Sequence, residues 1–121
     1  MLASFAILWL AASPVWGKTV QIDEKSNGKR IQLKVGDTLE IHLGENASTG
    51  FTWTSTQAHE PVLTEKDRTV EGVAGRPGSP GQRHIHYEAV HPGTAEVELH
   101  YRRPWEKKDP ARTFKLHVEV K

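Results

Sequence analysis

Cysteine is absent from the 121 residues of this chain. Its absence excludes a disulfide framework, a thiolate metal site, a cysteine nucleophile and a cysteine-borne lipid anchor. A strong charge of either sign is also absent, because 16 lysines and arginines oppose 15 aspartates and glutamates. The charged residues are interspersed rather than blocked, so we expect no nucleic-acid partner. The length suits one domain, which must be stabilised by its hydrophobic core.

The first 17 residues contain no charged side chain, and Leu2 to Ala12 form an apolar run. This run has the length of the hydrophobic region of a secretory signal and is too short to cross a bilayer. We therefore expect a signal peptide over 1–17, one domain over 18–121, and a periplasmic or secreted protein that has no membrane contact after cleavage. The alternative is a buried N-terminal helix.

Apolar and polar residues alternate with a period of two in most segments after residue 17, whereas no helical stripe is convincing. The clearest segments run over 39–43, 85–89, 95–101 and 114–120. Turn signals such as Asn27-Gly28 and Pro92-Gly93 separate the segments. The pattern predicts an all-β fold, an immunoglobulin-like antiparallel β-sandwich of seven to eight strands.

Three predicted connections between strands are long, namely 44–50, 68–82 and 102–112. Long and short connections alternate along the chain, and successive antiparallel strands reverse direction. The three long connections should therefore meet at one end of the sandwich.

The first long connection contains Ser48 and Thr49, which are small and hydroxylated. A serine nucleophile would need a base and an oxyanion hole, and the sequence has no nucleophile-elbow pattern. The alternative is a loop in which Asn46 and Thr49 bond their own backbone and Gly50 supplies an unusual backbone angle. We expect no catalytic residue.

The other two long connections differ in character. The second is rich in glycine and proline, but a strand follows it where a phosphate cradle needs a helix, so phosphate binding is not expected. The third places Trp105 among charged residues, after Pro104 has ended a strand. Trp105 either folds back onto the core or, beside Arg103, anchors an interface.

Histidine is frequent, and His84 and His86 share one face of a predicted strand. That spacing suits a metal site, but no carboxylate pattern accompanies it, and a polar sheet face is the competing interpretation. We expect no metal and no cofactor.

Taken together, the three loops resemble those of the chagasin family of cysteine-protease inhibitors. Members of this family carry an NPTTG(Y/F) loop, a GxGG loop and an RP(W/F) loop on an immunoglobulin-like fold. The first loop has Ala47 where proline is expected, and the second, placed at 78–81, has Pro80 in place of a glycine. The third is intact over 103–105, after Tyr101.

The resemblance implies a reversible, tight-binding inhibitor of papain-like cysteine proteases such as papain and cathepsins, monomeric and not an enzyme. Its loops 44–50, 72–82 and 102–112 would enter the active-site cleft as a wedge. The residues expected to bind the protease are Asn46, Ser48, Thr49, Gly50, Phe51, Gly78, Ser79, Pro80, Gly81, Arg103, Pro104 and Trp105. The alternative is an exported immunoglobulin-like binding module for a saccharide or a peptide, with Trp53 and Trp105 as platforms.

Overall fold

The computed structural model describes residues 17–72 and 81–121, and β-strands make up most of this part of the chain. Two single-turn 3₁₀ segments, Glu24–Ser26 and Ala47–Thr49, interrupt them. Among the described residues, no helix has the length and apolar character that crossing a bilayer requires. The strands are β1 Thr19–Asp23, β2 Arg30–Leu33, β3 Thr38–Glu45, β4 Thr52–Ser55, β5 Leu63–Gly72, β6 Gly81–Ala89, β7 Gly93–Arg102 and β8 Arg112–Val120.

The strands form two four-stranded sheets, ordered β1-β3-β6-β5 and β2-β8-β7-β4. This confirms the predicted β-sandwich of seven to eight strands, and the number is eight. The pairing is mixed rather than wholly antiparallel, because β1 runs parallel to β3 and β2 runs parallel to β8. After β1 the chain crosses to the other sheet and reverses direction to form β2. It then crosses back and reverses again to form β3, so β1 and β3 run in the same direction.

One hydrophobic core lies between the sheets, and alternate residues of the central strands supply it. Each buried aliphatic or aromatic side chain stabilises the fold by about 1.5–3 kcal/mol relative to full exposure. The residues of the first sheet that are shielded from solvent are Leu39, Ile41, Leu43, Leu63, Ile85, Tyr87 and Ala89, and those of the second sheet are Leu33, Trp53, Val97, Leu99, Phe114, Leu116, Val118 and Val120.

β5 is longer than the alternation indicated, since it extends to Gly72. The second long connection is therefore 73–80 rather than 68–82. After Leu63, the half-buried side chains of this strand are Glu65 and Arg68, which bond to β4 of the other sheet. Because these inward positions carry polar residues, the alternation of apolar and polar residues does not identify this part of β5 as a strand.

The long connections all start from one end of the sandwich, as predicted. Glu45 at the end of β3 lies opposite Gly81 at the start of β6, and Gly81 also lies opposite Gly72 at the end of β5. In the second sheet, Thr52 at the start of β4 lies opposite Arg102 at the end of β7. We call this end, with connections 46–51, 73–80 and 103–111, the loop end.

The opposite end, which we call the turn end, contains tight turns at 34–37 and 90–92 and the connection 56–62 between β4 and β5. Asp37 is buried there, and its carboxylate accepts hydrogen bonds from the backbone N–H groups of Lys34, at 2.8 Å, and Lys18, at 3.1 Å. Val35 is an exposed residue of the first of these turns. Backbone donors from the turn and from the residue before β1 therefore satisfy the buried carboxylate of Asp37.

Candidate functional site at the loop end

The first loop closes on itself through Asn46. Its backbone carbonyl accepts hydrogen bonds from the Thr49 N–H, at 3.2 Å, and from the Thr49 hydroxyl, at 2.7 Å. The Ser48 hydroxyl lies 2.6 Å from the Asn46 side-chain oxygen. This agrees with the alternative interpretation, in which Asn46 and Thr49 bond the backbone of their own loop. The apex therefore presents small, exposed polar side chains on a closed turn.

Gly50 follows the turn in a left-handed conformation, with φ at +83°. The six-membered ring of Trp105 lies against it, and a Cβ atom at position 50 would lie only 2.5 Å from the Trp105 Cη2 atom. Both the backbone angle and the close approach of the indole require glycine here. Trp105 nevertheless remains 70% exposed, so most of its ring is available to a partner.

Arg103 joins the third loop to the first. Its Nε atom donates a hydrogen bond to the Thr49 carbonyl at 2.9 Å, and its guanidinium carbon lies 4.6 Å from the centre of the Phe51 ring. The Glu106 N–H donates to the Arg103 carbonyl at 3.0 Å, which closes a turn around Pro104 and Trp105. The first and third loops therefore form one unit.

An aromatic layer supports this unit from below. The Tyr101 ring stacks on Phe51 with centroids 5.3 Å apart and lies 5.0 Å from the ring of Trp53. The Tyr101 hydroxyl accepts a hydrogen bond from the Asn46 N–H at 3.0 Å. Trp53 is only 1% exposed, so it supports the loop end and is no platform for a ligand, which removes one basis of the binding-module alternative.

Glu45 ties the loop end together from inside the sandwich. Its side chain is fully buried and forms an ion pair with Arg83 of β6. It also accepts hydrogen bonds from the Thr52 hydroxyl, at 3.0 Å, and the Trp53 N–H, at 3.1 Å. Glu45 was not identified from the sequence as a residue of the site. Its burial could have been predicted, because Glu45 continues the alternate positions of β3 that face the core.

A second carboxylate, Glu24, supports the loop end from its outer side. It lies 2.8 Å from the Arg112 guanidinium, which also covers the rings of Trp53 and Tyr101. The Gly44 N–H donates a hydrogen bond to Glu24 at 2.9 Å. Partial burial acts to raise the pKa of Glu24, but the hydrogen bonds from Arg112 and Gly44 outweigh it and hold the pKa below its ordinary value.

The structure therefore brings most of the predicted site residues together. Gly81 begins β6 directly opposite Glu45, at the root of the second loop. Gly78, Ser79 and Pro80 lie outside the described residues. The residues that share one surface are Asn46, Ser48, Thr49, Gly50, Phe51, Arg103, Pro104 and Trp105.

Comparison with known proteins identifies the family of this chain. The profile of the family described as chagasin family peptidase inhibitors matches residues 32–118. The chain belongs to the chagasin family. Chagasin from Trypanosoma cruzi is 30% identical to it over 90 residues, which are 70% of this chain and 82% of chagasin. Amoebiasin-1 from Entamoeba histolytica is 30% identical over 101 residues, which are 84% of this chain and 99% of amoebiasin-1.

The fold of this chagasin-family chain also matches that of a solved structure. The crystal structure of the cysteine protease inhibitor EhICP2 from Entamoeba histolytica superposes with a TM-score of 0.75 at 24% identity. The match covers 89% of this chain and 100% of EhICP2. Membership of the chagasin family places the chain among peptidase inhibitors rather than enzymes, as the sequence predicted.

Proposed function

We propose that this chagasin-family protein is a reversible inhibitor of papain-like cysteine proteases that enters the active-site cleft with loops 44–50, 72–82 and 102–112. The observation that carries the proposal is the exposed indole of Trp105, fixed over Gly50 beside a small polar apex. Family membership supports inhibition of a peptidase, and the name of EhICP2 as a cysteine protease inhibitor supports the class of enzyme.

The apex of the first loop is suited to approach a catalytic cysteine. Ser48 and Thr49 are exposed and small, so the loop can enter a narrow cleft. The backbone there is a turn closed on Asn46 rather than an extended segment. Such a turn occupies the position next to the nucleophile without presenting an extended peptide for cleavage.

The third loop supplies the anchor on one side of the cleft. Tryptophan and arginine are the residues most often found at energetic centres of interfaces. Here Arg103 is already engaged by the Thr49 carbonyl and the Phe51 ring, so we assign it to holding the loops in position. Trp105 is then the residue that packs against the cleft wall.

The second loop is proposed to line the other side of the cleft. Its roots, Gly72 and Gly81, pair with each other next to Glu45. Residues 78–81 would bond to the protease through their backbone, as an extended segment does when it pairs with a partner.

Affinity in this arrangement comes from preorganisation. Association costs about 4–15 kcal/mol in rigid-body freedom before any contact is counted. The hydrogen bonds of Asn46 and Arg103 already hold the first and third loops in the free protein, so their binding needs little further ordering. An interface of about 800 Å² per partner is then enough for tight, reversible inhibition.

We further propose that residues 1–17 are a signal peptide and that the inhibitor acts in the periplasm or outside the cell. The uncharged run from Leu2 to Ala12 supports this proposal. Cleavage after Gly17 would leave β1, which begins at Thr19, intact.

The proposal is tested by titrating papain activity with purified protein that lacks residues 1–17. We expect stoichiometric inhibition, and we expect Trp105→Ala to weaken it by about 2 kcal/mol, or about 30-fold in the inhibition constant. Val35→Ala is the matched control, because Val35 is also an exposed apolar residue but lies at the turn end. Absence of inhibition of papain and of a cathepsin at micromolar protein, or equal weakening by both substitutions, would contradict the proposal.

A further inference from the structure

A group of imidazoles surrounds one carboxylate on the outer face of the first sheet. In the pairing of β3 with β6, Glu40 lies opposite His86 and His42 lies opposite His84. The intervening residues of both strands, such as Ile41 and Ile85, point into the core, so these four side chains share the opposite face. The local sequence around His84 and His86 places no carboxylate pattern beside them, whereas the pairing of β3 with β6 brings Glu40 next to both.

Three of these side chains are close enough to share an ion. Oε1 of Glu40 lies 2.8 Å from Nε2 of His42 and 3.8 Å from Nδ1 of His84. The rings of His42 and His84 are tilted against each other, with centroids 4.1 Å apart. One potential ligand atom from each of the three residues falls within 4.8 Å of the others.

We propose that Glu40, His42 and His84 form a binding site for a divalent transition-metal ion of the zinc class. Two imidazoles and one carboxylate are a donor set of zinc sites that keep a position open for water. Metal–ligand bonds of about 2.1 Å in a tetrahedral site place neighbouring ligand atoms about 3.4 Å apart. The two distances from Glu40 lie on either side of that value, and the ligand atoms of the three residues are within 4.8 Å of one another, so the cluster has about the dimensions of such a site.

Unused hydrogen-bonding capacity at His42 also points to a ligand. The Nε2 atom of His42, which faces Oε1 of Glu40, is buried and has no hydrogen-bond partner within the described part of the chain. Nε2 of His42 is close to Glu40, but the contact does not have the geometry of a hydrogen bond. A buried polar nitrogen without a partner is costly, and a metal ion would relieve that cost.

His86 acts as the outer support of the proposed site. Its Nε2 lies 3.3 Å from Oε2 of Glu40, while its Nδ1 lies 2.7 Å from a carboxylate oxygen of Asp67 on β5. Oε2 of Glu40 therefore faces His86, while Oε1 faces His42 and His84. Such outer contacts orient the ligating carboxylate and affect metal affinity.

The site is on rigid elements and is open to solvent. The side chains of Glu40, His42 and His84 are 15%, 22% and 16% exposed. A groove of about 370 Å³, lined by Gln21, Asp23 and His42 among others, opens beside the site along β1. An ion therefore has a polar route to the three ligands.

The other sheet offers a matched control within the same molecule. His100 on β7 also lies against a carboxylate, with its Nε2 at 2.6 Å from Glu98. This is a pair of one imidazole with one carboxylate, whereas the proposed site combines two imidazoles with one carboxylate. His100→Ala should therefore leave metal binding unchanged.

The test is calorimetric titration of the untagged protein with zinc chloride. We expect one Zn²⁺ per chain, affinity at least about tenfold weaker in His42→Ala and in His84→Ala, and a loss of roughly tenfold in His86→Ala. Cobalt substitution should give the visible absorption of a low-coordinate site. Circular dichroism establishes that each variant is folded.

The proposal is wrong if the wild type binds no Zn²⁺, or if folded His42→Ala and His84→Ala variants retain full affinity. It is also wrong if His100→Ala loses binding to the same degree. None of these residues belongs to the connections of the loop end, so the outcome is independent of whether the protein inhibits papain.

Discussion

Two buried carboxylates lie at opposite ends of β3: Asp37 directly precedes the strand, and Glu45 is its last residue. The groups that stabilise the two negative charges differ. At the turn end, Asp37 accepts hydrogen bonds from two backbone N–H groups. At the loop end, Glu45 is paired with Arg83 and bonded to residues of β4 in the other sheet. The turn supplies one of the two donors to Asp37, from Lys34, and the residue before β1 supplies the other, from Lys18. At the loop end, the buried carboxylate instead joins strands of both sheets and is balanced by a side-chain ion pair.

The largest effect should come from breaking the ion pair at the loop end. Glu45→Ala leaves Arg83 without its carboxylate in a largely buried position, which costs about 3–5 kcal/mol of unfolding free energy. Urea denaturation measures this loss. Adding Arg83→Met to the same variant should restore part of it, since no unpaired charge then remains. A double variant less stable than Glu45→Ala would show that Glu45 does not act through Arg83.

A smaller effect is expected at the turn end. Asp37→Ala removes the acceptor for the N–H groups of Lys18 and Lys34, and we expect a loss of about 2 kcal/mol in urea denaturation. Inhibition should not change beyond this loss of stability, because the turn lies at the far end of the sandwich from Trp105. A loss as large as that of Glu45→Ala would remove the distinction between the two ends.

The smallest effect concerns a third carboxylate, Glu65 on β5, which is partly exposed. Burial acts to raise the pKa of Glu65, but hydrogen bonds from Arg68 and Ser55 outweigh it and hold the pKa below its ordinary value of 4.5. A carboxyl group with a lowered pKa in the folded state stabilises the fold above its unfolded pKa. That contribution is lost as the pH falls through the folded value.

Glu65→Gln should therefore cost less than about 1 kcal/mol at pH 7, and the difference from wild type should shrink under acid conditions. Urea denaturation at neutral pH and below the folded pKa measures both quantities. A difference that stays constant with pH would mean that the ionised form of Glu65 does not contribute to stability.

The sequence was sufficient to predict the sandwich because its central strands contrast strongly in polarity. In β3, β6 and β8, apolar residues at every second position identify the buried face. The parallel pairing of β1 with β3 and of β2 with β8 was not predictable. Alternation identifies the buried face of a strand but not the strand that lies beside it. β5 was underestimated because its inward positions carry Glu65 and Arg68, which bond across to β4.

The conformation of the first loop was predictable from the sequence, whereas the contacts between the first and third loops were not. Loop composition indicated that Asn46 and Thr49 would bond their own backbone and that Gly50 would adopt an unusual angle. The contacts of Arg103 and Trp105 with the first loop depend on how the two sheets bring β4 and β7 together. These contacts join residues more than 50 positions apart, so no local pattern contains them.

The contact between Gly50 and Trp105 also has a consequence for redesign of the inhibitor. Any side chain at position 50 would displace the indole, so the sequence of the first loop constrains the shape of the third. The two loops must therefore be grafted onto another scaffold, or randomised in a library, as a single module. A library that varied position 50 while keeping Trp105 would lose the contact that holds the two loops against each other.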